Sequence, residues 1–164
     1  VKTAVPLFVG AVVVFVVATA PLYAVALQSA WNESRAPRVA LANEADNLGI
    51  APDDRLLTID AAGLKYFTGR PGVVTPDDPI ETVEQVARAY GTRWLVLERD
   101  DVVRSLAPIL AGGDRPSWIG APVFVVPSPK GGVPQLAVFP VCLDTADERC
   151  AGGPTLALAG VPAP

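Results

Sequence analysis

The sequence predicts a small three-layer α/β domain that follows an N-terminal transmembrane helix. Residues 5–27 form an uncharged run of 23 residues, which is long enough to cross a hydrocarbon core of about 30 Å. Between residues 54 and 99, short apolar runs alternate with segments of helical period, as in a mostly parallel sheet. Residues 122–141 contain two β-rich runs that favour an antiparallel C-terminal hairpin. The predicted units are a transmembrane segment at 1–30, an α/β domain at 31–150 and a flexible tail at 151–164.

The apolar run has two other interpretations. A secretory signal peptide is the first, because Ala24-Val25-Ala26 suits a signal peptidase, although the run exceeds a usual apolar region of about 7–15 residues. A buried core helix is the second, and an uncharged run of this length disfavours it. Lys2 precedes the run while Arg35 and Arg38 follow it, so the distribution of basic residues does not orient the span.

In the first half of the domain, the sequence predicts three helices and two strands. Apolar residues at helical spacing between 31 and 53 predict a short helix that Gly49 ends. Strands are predicted at 55–59 and 72–75. The helix between them has Asp60 as its N-cap and stops at Gly69. In the next helix, Asp78, Pro79 and Glu81 are predicted to take the N-cap, N1 and N3 positions. Its apolar face is predicted to contain Ile80, Val83, Ala87 and Tyr90. Gly91 is predicted to end this helix.

The second half begins with a strand that is apolar on both faces. Residues 93–98 contain four consecutive large apolar residues, as expected for a strand inside a sheet. Asp100 or Asp101 is predicted to cap a further helix that Gly112-Gly113 terminates. The β-rich runs at 122–126 and 136–141 then add an antiparallel edge to the sheet.

Cys142 and Cys150 are the chain's two cysteines and lie close together in sequence. A local disulfide fits this spacing, would stabilise the fold by roughly 2.5 kcal/mol, and would place the domain outside the cytoplasm. Two reduced thiols in the cytosol are the alternative. A metal site would need two further ligands, which a chain without His lacks.

Charge and composition exclude several classes of function. The chain has 13 basic and 17 acidic residues and no His, which disfavours a nucleic-acid partner and removes the commonest general base. The turn after the first strand lacks the glycine pattern of dinucleotide-binding folds. Three Asp pairs stand at 53–54, 77–78 and 100–101. Each precedes a predicted strand or opens a predicted helix, and helix capping explains two of them. We expect no cofactor and no metal.

Arg70 is the single candidate for substrate binding. It lies in the turn between a predicted helix and the next parallel strand, where a guanidinium can hold a phosphate or a carboxylate. The alternative is a solvated or salt-bridged loop arginine. No residue of the chain has the context of a catalytic nucleophile or general base.

Several segments together resemble the C-terminal end of integral-membrane glycosyltransferases of the protein O-mannosyltransferase-like and aminoarabinose-transferase-like superfamily. The similarity covers roughly residues 5–99 and extends more weakly to 141. The segments that carry it are the transmembrane run, Tyr66-Phe67-Thr68-Gly69-Arg70-Pro71, Thr75-Pro76-Asp77-Asp78, Ala89-Tyr90-Gly91 and Trp94-Leu95-Val96-Leu97-Glu98.

The resemblance implies a polyprenyl-phosphate-linked sugar donor and catalytic acidic residues in an early extracytoplasmic loop, to which no part of this chain corresponds. The chain is then expected to be the non-catalytic, extracytoplasmic C-terminal domain of such a membrane enzyme. Its expected partners are the lipid bilayer, upstream transmembrane helices of the same protein and the lipid-linked sugar. The alternatives are a single-span α/β binding module without enzymatic activity and a secreted domain with a cleaved leader.

Overall fold

The structure is a computed structural model that describes residues 15–21, 23–24 and 35–143. Residues 15–21 and 23–24 are helical. The helices in the described part of the chain include none with the length and apolar character needed to cross a membrane. The rest of the predicted span at 5–27 and the predicted tail at 151–164 lie outside the described residues, so both stay predictions.

Five strands form one sheet among the described residues of the unit that begins at Pro37. They are Leu56–Thr58 (β1), Gly72–Val74 (β2), Trp94–Glu98 (β3), Phe124–Val126 (β4) and Leu136–Pro140 (β5). The strand order is β2-β1-β3-β5-β4, with β1 parallel to both of its neighbours and β5 antiparallel to both of its own. The mixed α/β fold, the parallel strands and the antiparallel C-terminal hairpin are therefore confirmed.

Among the described residues, four helices cover the two faces of this sheet. They are residues 35–44 (α1), Ala61–Thr68 (α2), Ile80–Tyr90 (α3) and Ala107–Leu110 (α4). Successive strand residues point to opposite faces, and the core divides accordingly. One face of β1 and β3 packs against α1 and α2 through Leu41 and Leu64. The opposite face packs against α3 and α4 through Val83 and Ile109, which gives the three predicted layers.

The ends of α2 follow the sequence, whereas two other predicted helix starts are wrong. Asp60 caps α2 by accepting a hydrogen bond from the Gly63 N–H at 2.9 Å, and Gly69 ends it at φ 71°. Pro79, and not Asp78, is the N-cap of α3, because the Pro79 carbonyl accepts from the Thr82 and Val83 N–H groups. α3 therefore has no side-chain cap.

Two further details of the helices correct the sequence-based expectation. Tyr90, predicted on the buried face of α3, is 55% exposed, because the helix ends there and Gly91 turns the chain away at φ 58°. The helix predicted after Asp100 or Asp101 is reduced to the single turn of α4, with Leu106 as its N-cap. The residues before it form a turn in which Leu106 N–H donates to the Val103 carbonyl.

The connections between the strands create a crevice at the carboxyl ends of the parallel strands. From β1 the chain passes through α2 to β2 on one side, and from β2 it crosses through α3 to β3 on the other side of β1. The two helices lie on opposite faces. The carboxyl ends of β1 and β3 therefore flank the point where the strand order reverses, which is where open α/β sheets bind their ligands.

Candidate functional site

Arg38 of α1 occupies this crevice. Its guanidinium donates to both carboxylate oxygens of Glu98, the last residue of β3, at 2.5–3.0 Å. It also donates to Oδ2 of Asp60, which follows β1, at 2.7 Å. The Asp101 carboxylate lies 3.7 Å from Nη2, beyond hydrogen-bond distance. We call these four residues the Arg38 cluster; it connects α1 to the ends of both central parallel strands.

Burial differs sharply within the Arg38 cluster. The side chains of Arg38 and Glu98 are 12% and 10% exposed, whereas those of Asp60 and Asp101 are 41% and 53% exposed. The bidentate pair between Arg38 and Glu98 is thus largely removed from water, a geometry that makes the pair strong once formed. With all groups ionised, one cation faces three carboxylates, and the crevice has a net charge of −2.

The pKa values of Glu98 and Asp60, the two carboxylates that accept hydrogen bonds from Arg38, shift in opposite directions. Burial raises the pKa of Glu98 above its ordinary value, and the charges of Asp101 and Asp60 add to this, although Arg38 opposes it. The Gly63 N–H, followed by Arg38, lowers the pKa of Asp60. Burial by itself lowers the pKa of Arg38, but Glu98 and Asp60 together outweigh it and raise that pKa. Acidification therefore neutralises Glu98 before Asp60.

A small cavity of about 10 Å³ lies beside the Arg38 cluster at the same end of the parallel strands. It has room for about one water-sized group. Glu98, Asp101 and Thr75 supply its polar lining, and Ile59, Val102 and Leu106 are among its apolar residues. Thr75 follows β2 and is 4% exposed. Its hydroxyl oxygen is buried and has no hydrogen-bond partner among the described residues.

Arg70, the predicted substrate-binding residue, lies away from this cavity and is 6% exposed. Its guanidinium donates to the Ile50 carbonyl at 2.7 and 3.0 Å, to the Thr68 carbonyl at 2.9 Å and to Asp46 at 2.5 Å. Every guanidinium nitrogen thus has a protein acceptor. These bonds hold the chain before β1 to the end of α2 and favour a structural role, while substrate binding stays an untested prediction.

The Asp pairs have roles other than capping. Asp54 is 5% exposed, and its Oδ2 accepts from the Trp94 indole N–H at 2.8 Å and from the Ala51 N–H at 2.9 Å. Asp77 accepts from the Arg104 backbone N–H at 3.4 Å, and Asp101 belongs to the Arg38 cluster. The expectation that two pairs cap helices is wrong, because α3 and α4 begin at residues further along the chain.

Cys142 is not a free thiol. It follows β5, and its backbone N–H donates to the Trp118 carbonyl at 2.7 Å. Cys150 lies outside the described residues, so the pairing of Cys142 with Cys150 stays a prediction.

Sequence reasoning missed the Arg38 cluster, although part of the signal was present. The sequence identifies Arg38 only as a basic residue that follows the apolar run, and Glu98 only as the end of a predicted strand. The useful pattern is that acidic residues end or follow two strands that become parallel neighbours, since their carboxyl ends then meet at one edge. Nothing in the sequence indicates that an arginine some 60 residues earlier binds there.

The described ranges contain no group of three or more His, Cys, Asp or Glu side chains arranged to hold a metal ion. Comparison with known proteins adds no assignment: no family model, no curated protein and no solved structure matches the chain.

Proposed function

We propose that this chain is the non-catalytic, extracytoplasmic C-terminal domain of a membrane glycosyltransferase that uses a polyprenyl-phosphate-linked sugar. The observation that carries the proposal is the crevice at the carboxyl ends of β1 and β3, which Arg38 occupies. The position where an open α/β sheet binds a ligand is filled by Arg38. The adjoining cavity of about 10 Å³ is far smaller than the roughly 300–1,000 Å³ of ordinary ligand pockets.

The positions of the residues that carry the family resemblance also support a structural domain. Gly69 and Gly91 have positive φ and end helices, a conformation that glycine adopts without strain. Arg70 is buried and bonded to backbone carbonyls, and Trp94 and Leu95 belong to the core. The resembling segments thus build the fold of the domain, and catalysis in the complete enzyme is left to the loop that the family uses.

Reading the gene upstream of the codon for Val1 tests this proposal. It predicts several hundred in-frame codons with repeated apolar spans and an early loop that contains acidic residues. A start codon directly before Val1 would contradict it and would favour the single-span binding module.

If the upstream region is as predicted, a transfer assay on the complete protein separates the roles of the two regions. Neutralising the acidic residues of the early loop is expected to abolish sugar transfer. Asp101→Asn in this domain is expected to leave transfer intact, because Asp101 is half-exposed and does not hydrogen-bond to Arg38. Loss of transfer in Asp101→Asn protein that still folds would contradict a non-catalytic role.

A further inference from the structure

We draw no further inference here: the strongest candidate, the exposed basic patch that Arg55 and Arg93 form at the amino ends of the neighbouring strands β1 and β3, carries nothing, because Arg55 already donates to the Tyr90 carbonyl and Arg93 to Asp54 and nothing in the structure shows what covers it.

Discussion

Replacing Arg38 with Met removes the guanidinium from the crevice at the carboxyl ends of β1 and β3 and keeps an unbranched side chain in α1. Glu98, whose side chain is 10% exposed, is then left as a buried carboxylate without its cationic partner. Breaking a buried pair from one side costs about 3–5 kcal/mol. Because Asp60 and Asp101 are much more exposed, they add little to the loss. We expect the free energy of unfolding to fall by about 3 kcal/mol at neutral pH.

This destabilisation should depend on pH. The folded-state pKa of Glu98 is already raised by burial, and loss of Arg38 raises it further. A raised folded pKa contributes stability that is fully present below the unfolded pKa and is lost as pH rises through the folded pKa. The wild-type protein also loses part of the stabilisation from Asp60, whose pKa is lowered, as pH falls. Both effects make the difference between Arg38→Met and wild type shrink on acidification towards the ordinary glutamate pKa.

Urea unfolding measures the difference in the free energy of unfolding between Arg38→Met and wild type. Tryptophan fluorescence follows the transition, because Trp94 and Trp118 are both buried. The double variant Arg38→Met with Glu98→Gln is the control, since it removes both charges of the pair and should recover much of the lost stability. A deficit that is the same at neutral and at mildly acidic pH, or one that persists fully in the double variant, would refute the electrostatic explanation. The cause would then be lost packing of the Arg38 stem against its surroundings.

Two further pairs of substitutions, each a test and its control, probe buried polar groups by the same unfolding measurement. Arg70→Ala should cost about 2–4 kcal/mol, because it leaves buried carbonyls without donors; Asp46→Asn should cost under about 0.5 kcal/mol, because Asp46 is 90% exposed. Equal costs would show that the ion pair and not the backbone bonds matters. Asp54→Ala should cost about 2–3 kcal/mol by leaving the N–H groups of Trp94 and Ala51 unsatisfied. Asp54→Asn should cost under about 1 kcal/mol, because one oxygen accepts both bonds; a cost as large as that of alanine would contradict this geometry.

Local signals in the sequence were sufficient for most of the fold. As predicted, α2 starts after Asp60 and ends at Gly69, because a capping side chain and a left-handed glycine act within one helical turn. The run at 94–97 became a fully buried strand because apolar residues on both faces require cover from both sides. The errors at Asp78 and Asp101 arose where a plausible capping residue preceded the helix by one or several positions.

The candidate site was less accessible to sequence reasoning because long-range pairing determines it. Arg38 and Glu98 are separated by 60 positions, and their contact depends on how α1 packs on the sheet. Arg70 showed the opposite problem: its loop position suggested a ligand, but the path of the chain between α1 and β1 buried it. Burial of a charged side chain follows from tertiary packing, and no local pattern reports it.

The location of the α/β domain is the most direct test of the proposed function. Tyr66 on α2 is 83% exposed, whereas Leu64 on the same helix is fully buried. In intact cells that produce the complete protein, a membrane-impermeant maleimide should label Tyr66→Cys without lysis and should label Leu64→Cys only after denaturation. Labelling of Tyr66→Cys that requires lysis would place the domain in the cytoplasm and contradict an extracytoplasmic role in lipid-linked sugar transfer.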